Sequence, residues 1–275
     1  MKKCERLGDP YEIVTANHYL CLVENKMNNY FLEISYKGTA YHGWQVQENA
    51  VSVQQKLNEA LAVLLRKEVE TIGAGRTDTG VHAKQLYVQF SGSAKILENP
   101  ERFVHSLNAM LPFDIAVKNL IEVHRQAHAR FDATSRSYEY RIHFNKVPFL
   151  QDLSWQLRDI PAVDMMNKAA EDLLGRQDFS CFSKSNTQVF TNFCHIQEAK
   201  WVWKDESLIF NITADRFLRN MVRAIVGTLL EIGFKKKPTD YIKEVIKSQD
   251  RSKAGTSVPA AGLYLTKVLY PYIDN

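Results

Sequence analysis

One order of elements occurs twice along this chain, and that recurrence restricts the fold more than any other feature of it. Phe31–Tyr36 mixes apolar, aromatic and polar residues as a strand does and ends at Lys37-Gly38. Ser52, with Gln55 three positions on, is a capping-box signal. Val53, Leu57, Ala60, Leu61, Leu64 and Leu65 then mark one face of a helix over 53–67. A short strand near 69–74, an alternating strand Gln85–Phe90, a helix Glu101–Leu111 stopped by Pro112 and a strand Ile115–Val123 complete the first round. The second round is looser. Ser137–Phe144 alternates, Met165–Leu174 is helical with Gly175 as its stop, and Gln197–Trp203 and Leu208–Ile212 flank a turn as a hairpin. Phe217–Phe234 has the strongest helical period, Pro238–Gln249 is a further helix and Leu263–Tyr270 a closing strand. A split strand–helix pattern used twice predicts an α+β protein with two ferredoxin-like halves. The expected boundaries are 27–125 and 126–275, with 1–26 a peripheral extension. Asp178–Phe193 is the longest irregular stretch, of the kind that carries contacts.

The stretch Gly73-Ala-Gly-Arg-Thr-Asp-Thr-Gly-Val-His82 is where chemistry is expected. Its glycines could cradle a phosphate, yet the third glycine of a dinucleotide fingerprint is replaced by Asp78. A nucleotide P-loop would need Lys-Ser/Thr where the chain has Val81-His82. What remains is a carboxylate two residues from a guanidinium. In extended backbone, Arg76 and Asp78 would share one face, and the cation would favour an ionised Asp suited to attack or charge stabilisation. The same spacing also fits a turn tied by a surface salt bridge.

Gly-Arg-Thr-Asp-Thr-Gly-Val-His-Ala resembles the motif of the tRNA pseudouridine synthase A family. Tyr41-His-Gly-Trp-Gln45 and Ser52-Val-Gln54 resemble that family upstream of it. Downstream, His128-Ala-Arg-Phe-Asp-Ala-Thr-Ser-Arg-Ser-Tyr138, Met221-Val-Arg223 with Ile225-Val-Gly227, and Gly262-Leu-Tyr-Leu265 recur in family order. The resemblance covers about residues 28 to 272. It implies two halves sharing one extended antiparallel sheet, with helices on one side and an RNA-binding cleft. It also implies isomerisation of uridine to pseudouridine at positions 38, 39 and 40 of the tRNA anticodon stem-loop, by a cofactor-free homodimer. Residue by residue, Asp78 matches the catalytic aspartate and Arg76 the motif arginine of the flipping or RNA-contact step. Tyr138 matches the tyrosine that stacks on the extruded uracil, Arg223 the arginine paired with the carboxylate, and Leu263 the leucine lining the uracil pocket. Without the resemblance, Tyr138 and Leu263 would read as packing residues and Arg223, with Arg216 and Arg219 on the same helical face, as part of a solvated basic surface. Pro259-Ala-Ala261 departs from the two prolines usual before that leucine. The same chemistry on another RNA, and a non-catalytic RNA-binding protein of this fold, are the competing readings.

Composition narrows the setting. A net charge of +4 is too small to identify a nucleic-acid binder by itself, although basic residues gather around 130–146, 216–223 and 235–253. The four cysteines show no zinc-type spacing, so free thiols in a reducing cytoplasm are expected, with no metal. No apolar run is long enough to cross a bilayer.

Overall fold

The computed structural model describes residues 27–93, 96, 98–184 and 191–273. The 1–26 extension and residues 185–190 of the irregular stretch lie outside them. Ten strands form one sheet, in the order β4-β1-β3-β10-β5-β9-β8-β7, with β2 paired to β3 and β6 to β5. The strands are β1 Met27–Tyr36, β2 Ile72–Gly73, β3 His82–Ser93, β4 Ile115–Val123, β5 Ser135–His143, β6 Trp155–Gln156, β7 Gly175–Asp178, β8 Phe193–Lys204, β9 Ser207–Ala214 and β10 Leu263–Leu269. Among the described residues five α-helices accompany them: α1 Val53–Leu65, α2 Pro100–Met110, α3 Val163–Ala170, α4 Met221–Gly233 and α5 Tyr241–Ser248.

Expectation and structure differ at the junction of the halves. The sheet is antiparallel at most of its pairings, but β3 meets β10 in a short parallel pairing, Tyr264 opposite His82 and Leu265 opposite Ala83. β5 and β6 are also parallel. The shared sheet is therefore mixed. The reason is directional: β3 and β5 both pair with β10, from opposite sides, and only β5 runs against it.

In the first half, Tyr30, Leu32 and Ile34 of β1 lie opposite Phe90, Val88 and Leu86 of β3. These cross-strand neighbours form one apolar face. Tyr30 stacks on Phe90 at 5.4 Å between ring centroids, and Phe90 stacks on Phe103 of α2 at 6.1 Å. Ser52 caps α1 by accepting from the Gln55 N–H, as its sequence implies. The reciprocal half of the box is not made, because the Gln55 amide donates to Glu59 instead. The opposite sheet face is covered near the chain's end, where Phe31 meets Tyr270 edge-on at 5.2 Å.

The second half packs around α4, where eleven of thirteen residues are buried and only Arg223 and Glu231 are not. A helix apolar on nearly every side has to be enclosed. It starts four residues later than its periodicity predicts. Asn220 adopts left-handed φ of 65° and interrupts the turn, so Arg216 and Arg219 precede the helix and do not share its face with Arg223. The segment 254–258 crosses α4 at Gly227, where a Cβ would stand 1.9 Å from the Thr256 carbonyl oxygen. Tyr138 packs against both hydrophobic cores, one in each half.

Gly227→Val should therefore lower stability by about 1–3 kcal/mol, the usual cost of forcing carbon into a filled interior. Val63→Ala, on the exposed face of α1, should stay within about 0.5 kcal/mol of wild type. Urea unfolding of the two variants checks this.

Candidate active site

The loop 74–81 is anchored at almost every turn. The Ala74 N–H donates to the Tyr87 carbonyl at 2.8 Å, and the Ala74 carbonyl accepts from Arg136 at 2.9 Å. Thr77 Oγ1 and the Tyr36 hydroxyl share a buried hydrogen bond of 2.8 Å, and the Thr77 carbonyl accepts from the Trp44 N–H. Gly43, at φ 87°, lies so close beneath that carbonyl that a Cβ would be 2.3 Å from it. Farther on, the Gly80 N–H donates to the Tyr41 carbonyl. Beyond the loop, His82 joins the halves: Nδ1 accepts from the Gly38 N–H at 3.0 Å, and Nε2 faces the Ala261 carbonyl at 3.2 Å. A carbonyl can only accept, so Nε2 carries the proton and the ring is neutral. Burial pushes the His82 pKa down.

Asp78 stands at the crest of this braced loop with its side chain 30% exposed. Its carboxylate lies 3.7 Å from Arg223 Nη1, a loose ion pair between the halves. Arg223 occupies the first turn of α4, where a cation opposes the helix dipole. Hydrogen bonding from its Nε to the Val258 carbonyl at 2.7 Å, together with Asp78, offsets that. Tyr138, on β5, has its phenol pushed up to about 12, first by burial and then by the Asp78 charge, against the lowering effect of Arg136. It is thus neutral at ordinary pH, and Phe217 meets its ring edge-on at 5.1 Å. Leu263, buried at the start of β10, follows a short 3₁₀ turn Ala260–Gly262 that Pro259-Ala-Ala261 forms without a second proline. Tyr138 and Leu263 both belong to the second half's apolar core, and β5 and β10 are paired there.

Arg76 does not behave as the spacing implied. Asp78 pairs with Arg223 instead, and the exposed Arg76 side chain makes no hydrogen bond or ion pair among the described residues. The chain bends at Ala74-Gly75 and turns at Thr79-Gly80, so simple strand alternation does not extend through the motif. Three contributors carried no role in the sequence reading. Thr77 and Tyr36 hold the loop from below. Arg136 sits inside a family block, yet nothing local marks it, because an arginine on a strand normally points to water. Here it donates to four carbonyls, those of Ala74, Arg130, Ala133 and Asp215. Burial lowers its pKa.

The described residues contain no cluster of His, Cys, Asp and Glu able to hold a metal ion, and none of the helices among them is long and apolar enough to cross a membrane. Cys181 and Cys194 are free and buried.

A mixed sheet with a carboxylate raised between its halves defines a class, and comparison with known proteins gives it a family. Residues 169–271 match the model of a family described as tRNA pseudouridine synthase. Over the longer span, the chain is 47% identical over 246 residues to tRNA pseudouridine synthase A of Bacteroides fragilis, covering 89% of this chain and 97% of that protein. The protein of the same name from Parabacteroides distasonis is 47% identical with the same coverage. That from Clostridium acetobutylicum is 39% identical, over 89% of this chain and all of its own length. The chain belongs to the tRNA pseudouridine synthase A family.

The His82 bridge yields a pH dependence. Its folded pKa is depressed below the ordinary value of about 6.5, so its contribution to stability is complete above about pH 6.5 and is lost as pH falls through the folded value. His143, also depressed by burial, contributes with the same sign. Histidine ¹⁵N NMR separates them: His82 should show the Nε2–H tautomer at neutral pH and titrate below about 6.5. A midpoint above that value would contradict the bridge.

Gly43→Ala combines left-handed backbone with the 2.3 Å approach to the Thr77 carbonyl. It should displace the Asp78 loop and reduce turnover by about 100-fold, the scale of loss from a misplaced reacting group. Single-turnover kinetics of the purified variant test this.

Proposed function

We propose that this chain is an isomerase that converts uridine to pseudouridine in tRNA, at positions 38, 39 and 40 of the anticodon stem-loop, with Asp78 as its catalytic carboxylate. The activity is supported by the tRNA pseudouridine synthase A relatives at 38–47% identity. The observation that carries the assignment of Asp78 is its placement: a half-exposed carboxylate on a rigid loop, facing the guanidinium of Arg223. The anticodon positions rest on the sequence resemblance.

In this reaction the N1–C1′ bond of the uridine breaks and a C5–C1′ bond forms, with a proton leaving C5 and one arriving at N1. Substrate and product are isomers, so no oxidant, reductant or energy source enters the balance. The uracil has to leave the stack to turn. Asp78 supplies the attacking or charge-stabilising oxygen. Arg223 fixes that carboxylate without a tight hydrogen bond, which leaves its lone pairs available. Tyr138 presents a neutral ring beneath the uracil, and Leu263 closes the apolar wall. Arg76, free of protein partners among the described residues, reaches the RNA and assists the extrusion.

The strand orders support reading 27–125 and 126–275 as two ferredoxin-like halves. With the two-residue β6 and the edge strand β7 set aside, the order β10-β5-β9-β8 follows the same 4-1-3-2 arrangement as β4-β1-β3-β2. The cleft lies where these halves meet. Work as a homodimer in the cytoplasm belongs to the same reading and rests on the resemblance.

The test is tritium release from tRNA labelled at uracil C5. Wild type should release tritium, and Asp78→Ala should slow release by about a thousandfold or more. Its unfolding free energy should change by less than about 1 kcal/mol, because the ion pair is loose and partly solvated. Mapping of the modified positions should return 38, 39 and 40. RNA retention by both proteins with release by neither would leave a passive RNA binder.

A further inference from the structure

Phe131 is 74% exposed, and isolated exposed phenylalanines are ordinary in proteins. Phe113 and Phe149 are more exposed still. What separates Phe131 is how it is held. Its backbone N–H and that of Arg130 both donate to His128 Nδ1, at 3.3 and 3.1 Å. The His128 ring lies against the Phe131 ring at 4.3 Å between centroids. His128 is itself fixed: its N–H donates to Asp132 Oδ2 at 2.8 Å, and the Tyr272 hydroxyl donates to the same oxygen. The neighbouring Ala129 N–H donates to Gln89 on β3, and its carbonyl accepts from the Tyr270 hydroxyl. A large apolar ring has been pinned at the surface where a free loop could have folded it away.

Its location follows from Arg136. One guanidinium nitrogen, Nη2, donates to both the Ala74 carbonyl at 2.9 Å and the Arg130 carbonyl at 2.6 Å. The start of the Asp78 loop and the residue before Phe131 are therefore no farther apart than two hydrogen bonds sharing a donor. Charge gathers at the same place. Arg136 is a partly buried cation bonded only to carbonyls, Arg130 lies 5.8 Å from the Phe131 ring, and Arg76 is exposed. An exposed ring among guanidiniums, beside a loop that handles an extruded nucleotide, is the arrangement that binds unstacked nucleic acid.

We infer that Phe131 stacks on a base next to the target uridine, replacing the stacking partner which that base loses when the uridine swings out, while Arg130 contacts the adjoining phosphate. The inference builds on the proposed activity and adds a substrate-binding residue to it. His128 covers one face of the ring, and the other receives the base.

The experiment compares Phe131→Ala, Phe131→Leu and Phe131→Trp in tritium release from tRNA. It also compares them in filter binding of the same tRNA in an Asp78→Asn background. Loss of one stacked base should raise KM and Kd by about 5- to 100-fold for Phe131→Ala, with kcat within about threefold of wild type. Trp should restore both constants and Leu should not, while urea midpoints of all three stay near wild type. Constants for Phe131→Ala within about twofold of wild type, or recovery by Leu equal to that by Trp, overturn the inference. If wild type releases no tritium, the proposed activity fails, and the binding measurements alone decide on Phe131.

Discussion

A guanidinium drawn away from water needs partners for its donors, and the two terminal nitrogens of the partly buried Arg136 find them in carbonyls from three separate stretches of backbone. Ala74 opens the Asp78 loop, Arg130 and Ala133 lie in the connection between β4 and β5, and Asp215 directly follows β9. Side-chain carboxylates would have neutralised the charge; carbonyl dipoles leave it in place. The same group thus fastens the start of the Asp78 loop to β5 and the end of β9, and leaves a positive charge beside that loop. Such a charge suits a polyanionic partner.

Around that fastening the loop has few degrees of freedom left. Thr77 is held from Tyr36 and Trp44, Gly80 from Tyr41, and His82 from Gly38 and Ala261. Asp78, between these anchors, keeps an unencumbered carboxylate. The hydrogen bonds fix the loop's backbone while the Asp78 carboxylate keeps only a loose ion pair to Arg223. Tyr138 adds the other half's contribution, since its ring packs into both cores and so registers any shift between them.

Much of this was legible in the chain. The helical face of residues 53–65 and the alternation at 85–90 follow from side-chain period, and both elements formed where that period placed them. Asp78 and Arg223 lie far apart in sequence, and the fold brings them within 3.7 Å of each other, with Tyr138 close enough to feel the Asp78 charge. The errors have local causes. Periodicity through Arg216–Asn220 continues a helix that Asn220 interrupts with its own backbone conformation. The Arg76–Asp78 pairing was conditional on extended backbone, and it gives way to the Asp78–Arg223 ion pair because spacing cannot reveal a partner so distant in sequence. Parallel contact between β3 and β10 leaves no mark in either strand's composition, because two residues of pairing are too few to impose one. Arg136 could not be singled out from its neighbours, since a cage of carbonyls has no side-chain signature.

Strand β10 lies near the chain's far end yet occupies the middle of the sheet, between β3 and β5. Until residues 263–269 emerge from the ribosome, β3 and β5 each lack the neighbour that joins them, and the wall carrying Leu263 does not exist. A strand late in sequence order is thus the one that joins β3 to β5. During translation the two halves can each begin to fold, but they present unpaired edges to the cell and meet through contacts of long sequence separation, which form slowly. A growing chain of this design therefore holds the Asp78 loop before its sheet is continuous, and the two sides become one surface only when β10 pairs with both β3 and β5.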